Sequence, residues 1–218
     1  GRVRSVGIAL GMQGSCISNV DVGYATIKLK EDGTYLLSIA APDMGTGCDT
    51  ILPQMAAESL DCPLEDIAVS GADTDTSPYD SGSYASSTTF ITGTAVRNAA
   101  ERLRHRIKKQ AAKLLDCRLE ELEFDGQMAR NTKTQQTVTL EQIGISSMSG
   151  SDNALQVTES YSSPVSPPPY MAGAVEIELD KETGHVEILD FVAVVDCGTV
   201  INPNLARVQT EGGLAQGI

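Results

Sequence analysis

The sequence predicts an α+β fold, and three observations predict it. Residues 25–39 and 174–195 alternate apolar and polar side chains about short turns and so read as β-hairpins. Residues 88–116 place Val96, Leu103, Ile107 and Leu114 at helical spacing, the pattern of one long amphipathic helix. Strands and helices then follow one another without the regular alternation of a parallel βαβ sheet.

Taken in order, residues 5–13 read as a first strand. In the first hairpin Ala25, Ile27 and Leu29 alternate with Thr26, Lys28 and Lys30 before the turn Glu31-Asp32-Gly33-Thr34 and the strand of Tyr35, Leu37 and Ile39. A Gly-containing loop at 41–47 leads into a helix ending near Leu60, in which Pro53 is tolerable only in the first turn. Residues 66–70 predict a short strand. Residues 71–87 form a long loop rich in Gly, Ser, Thr and Asp, and a loop of that length inside a compact domain points to function or disorder. After the long helix come short strands near 121–124 and 127–131 and a helix starting at Thr139. Residues 144–152 are polar and read as a linker, which sets the expected subdomains at 1–150 and 151–218. Pro164, Pro167, Pro168 and Pro169 make the next segment extended. The second hairpin follows, turning at Lys181-Glu182-Thr183-Gly184. Asn202-Pro203 starts a final helix, since Asn caps free amides and Pro is tolerated at the first helical position. Its glycines, Gly212, Gly213 and Gly217, lower helix propensity, so the helix is expected either to pack closely along its backbone or to fray, and the chain reads as cut within it.

Composition narrows the function classes. Acidic residues outnumber basic ones 29 to 16, a net charge of −13 that repels a nucleic-acid backbone and an anionic membrane surface. Seven basic residues, Arg97, Arg102, Arg104, Arg106, Lys108, Lys109 and Lys113, gather in the long helix, where they read as its solvated face. The five cysteines, Cys16, Cys48, Cys62, Cys117 and Cys197, are scattered and nowhere form a CxxC pair, which argues for a reducing compartment and against a disulfide scaffold, a zinc site or a cluster. His105 and His185 have no partner at ligand or triad spacing. With no membrane-length apolar run and no leader pattern, the expected location is the cytoplasm.

Three loops carry the chemistry. Met44-Gly45-Thr46-Gly47 precedes a helix start, where free amides and the helix dipole favour an anion; a tight turn explains the same glycines. Residues 73–89 offer a run of hydroxyls and amides before a second helix start, donors suited to a phosphate or a polar ring. The third is Gln209-Thr210-Glu211-Gly212-Gly213-Leu214-Ala215-Gln216-Gly217 in the final helix.

In this order and spacing, Met44-Gly45-Thr46-Gly47, the loop from Ser77-Pro78 to Tyr84-Ala85-Ser86, and Asp196-Cys197-Gly198 with Asn202-Pro203 and the Gln209–Gly217 segment resemble the molybdenum-binding subunit of the xanthine dehydrogenase and aldehyde oxidase family. The resemblance covers the chain from Arg4 onward. It implies two-layer α/β subdomains with mixed sheets that cradle a molybdopterin-type cofactor, in bacterial members its cytosine dinucleotide form. It also implies hydroxylation of an N-heterocycle or aldehyde with water-derived oxygen. Carried over residue by residue, Gly45, Thr46 and Gly47 would contact the cofactor, Ser83, Tyr84, Ala85, Ser86, Ser87 and Thr88 would hold its phosphate or pterin, and Gln209 would hydrogen-bond near the pterin.

Thr46 departs from the family's glutamine and offers one hydroxyl where the amide has two kinds of group. The family's glutamate base lies in a Gly-Glu-Pro-like motif downstream of the Gln-Gly segment, so no catalytic residue and no metal ligand is assigned within 1–218, and Glu211 is not that base. The implied partners are the rest of the molybdenum subunit together with iron–sulfur and flavin (FAD) domains or subunits. A non-catalytic molybdopterin-binding or assembly module, or an acidic domain holding another phosphorylated ligand, stays open from the residues alone.

Overall fold

The computed structural model describes residues 1–149 and 154–218. In chain order the elements are β1 (Arg2–Met12), β2 (Val22–Leu29), β3 (Tyr35–Ile39), α1 (Cys48–Leu60), β4 (Ile67–Gly71), α2 (Ile91–Leu114), β5 (Leu122–Phe124), β6 (Met128–Asn131), β7 (Thr137–Thr139), α3 (Leu140–Met148), β8 (Gln156–Ser162), β9 (Tyr170–Asp180), β10 (Val186–Asp196) and α4 (Pro203–Gly217). They form two compact units, one of residues 16–165 and one of residues 1–15 with 166–218. This division differs from the expected boundary between 150 and 151, which lies outside the described residues; β1 joins the later unit because it pairs along its whole length with β9.

The unit of residues 16–165 has two layers. Its larger sheet has the order β4-β3-β2-β8, with β3 and β4 parallel and the other pairs antiparallel, and β5, β6 and β7 form a second, antiparallel sheet. The strand alternation works as the sequence predicts: Ala25, Ile27, Leu29, Tyr35, Leu37 and Ile39 are buried, while Thr26, Lys28, Leu36 and Ser38 stand on the other face. α1 and α2 supply the second layer. Val96, Leu103 and Ile107 are fully buried, but Leu114, expected on the same face, is 44% exposed because it is the last residue of α2. The basic residues of α2 do more than face solvent. Arg102 pairs with Glu159 on β8, Arg104 with Asp61 at 2.9 Å, and Arg106 donates to the carbonyl of Gln156.

Pro53 departs from expectation. It lies in the second turn of α1, not the first, so the helix forgoes one backbone hydrogen bond there; its ring is buried, and this packing offsets part of that loss. The expected linker at 144–152 is another correction, since α3 runs through Met148 and only its later residues fall outside the described ones. A reciprocal cap explains where α3 begins: Thr139 Oγ1 accepts from the Gln142 amide at 3.2 Å while Gln142 Oε1 accepts from the Thr139 amide at 2.9 Å. β7 and β8 are absent from the sequence expectations. β8 is mostly polar, and it forms because β2 offers it a seven-residue antiparallel register.

In the other unit β9 is the centre of a fully antiparallel three-stranded sheet, β1-β9-β10, with one register shift between Ile188 and Asp190. α4 starts where expected, with Asn202 Oδ1 accepting from the Leu205 amide at 3.1 Å and Pro203 in the first turn, and none of its residues is buried. The described cysteines are all free, and no described helix is long and apolar enough to cross a membrane.

Candidate functional site

The loop before α1 is organised by a side chain that the sequence expectations omit. Asp43 Oδ1 accepts the amides of Gly45 at 2.9 Å and Gly47 at 3.1 Å, and Oδ2 accepts the amide of Asp49 at 3.2 Å. Gly47 caps the helix at φ 78°, in the left-handed region that glycine favours. The anion expected at this helix start is therefore the protein's own carboxylate. Hydrogen bonding from Gly47 foremost, and from Gly45 and Asp49, holds the Asp43 carboxyl below its ordinary value of 3.8. Because the folded value is depressed, the clamp is complete above the unfolded value and is lost as pH falls through the folded one. In an NMR titration the amide shifts of Gly45 and Gly47 should move together with a midpoint below 3.8; a midpoint at or above it would show that no such clamp exists.

Asp43, Cys48 and Asp49 present ligand-type atoms within 4.8 Å of one another. The Asp43 oxygens already serve backbone amides, and burial pushes the Cys48 thiol up and keeps it protonated. That is the chemistry of a loop clamp, and no metal role follows from it.

The second loop is stitched to the sheet and to α2. Ser81 exchanges two bonds with Val22, its amide donating to the Val22 carbonyl and its hydroxyl accepting the Val22 amide. Asp80 bridges backbone and helix, with Oδ1 accepting the Gly82 amide and Oδ2 the Thr92 hydroxyl, each at 2.8 Å. Thr92 is almost fully buried and lies directly on Gly23 of β2, where an added Cβ would stand 2.6 Å from its hydroxyl and 2.8 Å from its Cα. Gly23 thus sets how closely the start of α2 approaches the sheet.

Between these anchors Ala85 and Ser86 both take left-handed backbone conformations, φ 52° and 57°. Two non-glycine residues there hold about 1–3 kcal/mol of strain each, of the kind that collects at ligand-holding loops. Ser83 Oγ donates to the Pro42 carbonyl at 3.2 Å and so brings the second loop against the first. Ser87 is buried and spends its hydroxyl on the Tyr84 carbonyl at 2.8 Å. The nearby Asp21 carboxylate pushes the phenol of the partly exposed Tyr84 above its ordinary value; Asp21 is fixed by the Ile17 amide on one oxygen, and its other oxygen makes no hydrogen bond. Thr88 is half-buried and its carbonyl accepts the Gly93 amide. α2 then begins with no side-chain cap and no acid in its first turn.

The structure thus draws the expected residues of the first two loops together through Ser83 and Pro42. Gln209 is exposed on α4 in the other unit, two residues from each partner of the exposed Arg207–Glu211 ion pair at 2.7 Å. Asp43 and Asp80 carry a signal that could have found them: each is an Asp two residues before a Gly, the pattern of a side chain accepting from the backbone two positions on. Thr92 carries none, because what matters is the strand it packs against.

The profile of the family described as Molybdopterin cofactor-binding domain matches residues 1–218. The probable hypoxanthine oxidase XdhD of Escherichia coli is 36% identical over 214 residues, covering 97% of this chain and 22% of that protein. The nicotine 6-hydroxylase large subunit of Paenarthrobacter nicotinovorans is 29% identical over 227 residues, 99% of this chain and 28% of that protein. Among solved structures, the reconstituted CO dehydrogenase from Oligotropha carboxidovorans superposes with a TM-score of 0.86 at 26% identity, over 98% of this chain and 28% of that one. The chain spans about a quarter of the length of these relatives. It belongs to the molybdopterin cofactor-binding domain family, within the molybdenum oxidoreductases that include xanthine dehydrogenases and CO dehydrogenases.

Proposed function

We propose that this chain is the cofactor-holding part of a molybdenum hydroxylase, and that its loop 81–88 receives the phosphate-bearing portion of molybdopterin. One observation carries this assignment. A hydroxyl- and amide-rich loop, strained at Ala85 and Ser86 and pinned by Asp80, Thr92 and Ser81, opens onto a 24-residue helix whose first turn holds neither acid nor side-chain cap. Those are the donors and the dipole that suit a phosphate, and the residues present fit the group. The start of α1 differs, because Asp43 already neutralises it.

In this assignment Ser86 and Thr88 offer hydroxyls and amides, and Ser83 its amide, its hydroxyl being bonded to the Pro42 carbonyl. Ala85 acts through its amide, whereas the amides of Tyr84 and Ser87 donate to the carbonyls of Gly82 and Tyr84 and so shape the loop. Gly45, Thr46 and Gly47 form an adjoining wall. When bound, the cofactor supplies two-electron redox chemistry at molybdenum for hydroxylation with water-derived oxygen. The chain's own residues bind and orient it. The relatives named for hypoxanthine and nicotine make an N-heterocycle the favoured substrate, with an aldehyde as the alternative. The name "large subunit" among them supports iron–sulfur and flavin partners. The cytosine dinucleotide form and a cytoplasmic location complete the proposal.

The test is the pterin content of the native protein and of its Thr88→Ala variant, read as fluorescence after oxidation. About one pterin per chain in the native protein and a loss on substitution are expected, each lost charge-assisted bond being worth about 1.5–3 kcal/mol. Residues 1–218 by themselves are expected to turn over no substrate. A protein that bound ordinary nucleotides and no pterin would overturn the assignment in favour of an unrelated phosphorylated ligand.

A further inference from the structure

In the unit of residues 1–15 and 166–218, one face of the β1-β9-β10 sheet is bare. Residues 6–12, Val-Gly-Ile-Ala-Leu-Gly-Met, contain no polar side chain, although a sheet face that meets water carries polar residues at every second position. Val6, Ile8, Leu10 and Met12 share one face of β1 and are 64, 78, 83 and 73% exposed. The register continues the patch across the sheet: Ile8 stands opposite Ala174 and that opposite Val192, Leu10 opposite Ala172 and that opposite Val194. Val192 and Val194 are themselves more than half exposed. A contiguous apolar patch three strands wide marks an interface.

We propose that this face is buried in the native protein against polypeptide of the same molybdenum subunit lying outside residues 1–218. The proposal rests on the family assignment, because it is the relatives that show how much chain is available. This chain spans 22% of one relative and 28% of another, so most of each lies outside the matched part. Charge selects against the other simple occupant, a second copy. On the same face Glu176 stands opposite Asp190, and Asp196 ends the row beyond Val194, while Arg2 and Arg4 are already paired with Glu178. Two copies meeting face to face would bring acidic rims together in a chain of net charge −13. The covering surface is therefore apolar at its centre with basic side chains at its rim.

Oxidative footprinting of the unsubstituted protein tests this, with Met12 as the reporter and Met148, 58% exposed on α3, as the internal control. In the native protein at its natural length, peroxide should convert Met12 to the sulfoxide at least about fivefold more slowly than Met148, because oxidation follows exposure. In the isolated 218-residue chain the two rates should be comparable. Equal rates in the native protein would overturn the proposal, as would protection that appears in the isolated chain and disappears on dilution, which is the signature of a second copy. As a second measurement, Leu10→Glu should lower the soluble yield of the native protein several-fold; an unchanged native yield counts against the proposal. Pterin content of the same sample separates the two claims. Pterin present with Met12 rapidly oxidised sinks the interface alone, and pterin absent with Met12 protected sinks the functional assignment alone.

Discussion

Gly126→Ala is expected to be among the most destabilising single substitutions in the chain. Gly126 sits in the turn between β5 and β6, where Asp125 Oδ1 accepts the amides of Gln127 and Met128, and its φ is +88°. A Cβ there would lie 1.5 Å from the carbonyl oxygen of Asp61 and 2.5 Å from its carbon. Asp61 closes α1 in a left-handed conformation with its amide bonded to Ala57, so neither backbone can yield without unwinding a helix end or a turn. The conformational penalty is about 1–3 kcal/mol, and displacing close-packed backbone adds roughly as much again. Gly45→Ala is the matched control, since Gly45 has φ +100° and nothing within 4 Å of an added Cβ. Denaturant unfolding of the two variants isolates the steric part. If Gly126→Ala lost no more stability than Gly45→Ala, the contact between the β5–β6 turn and the end of α1 would be wrong.

Leu103→Ala should cost about 2–5 kcal/mol, the range for removing a fully buried leucine and leaving a cavity. Leu103 is inaccessible to solvent midway along α2, the helix that packs on both β2 and β8. At a few degrees per kcal/mol for a domain of this size, the melting temperature should fall by roughly 5–20 °C. The substitution also loosens the element that fixes loop 81–88, because Thr92 on the same helix holds Asp80. Pterin content should therefore fall along with stability. Leu114→Ala, at the exposed end of α2, should change the melting temperature little. A comparable loss for both would mean that α2 does not pack on the sheet as described.

Much of the fold was legible because its signals are local. The hairpin β2–β3 declares itself in strict alternation around Asp32-Gly33, where Asp32 accepts the Thr34 amide and its carboxyl is pulled down to about 2 by that residue's hydroxyl and amide. The cap pairs at Thr139 and Asn202 are written in the residues that make them. β8 was not legible, since a strand of Gln, Thr, Glu and Ser becomes a strand only when β2 is there to pair with it. The linker expected at 144–152 failed for the same reason: Gly144 looks like a breaker in the sequence, yet an added Cβ there would stand 2.5 Å from the Lys30 carbonyl, so the glycine serves a close approach within α3.

The site divides along the same line. Short motifs of glycine, hydroxyls and Asn-Pro determined the family and the loops that matter, because backbone freedom and donor type are properties of the residues themselves. The tertiary structure alone decided which donors remain available. It tied Ser83 to the Pro42 carbonyl and Ser81 to Val22 of β2, and it set Thr92 of α2 on Asp80 and against Gly23. Those choices depend on which strand and helix each side chain meets, and that distance is set by packing between segments far apart in the chain.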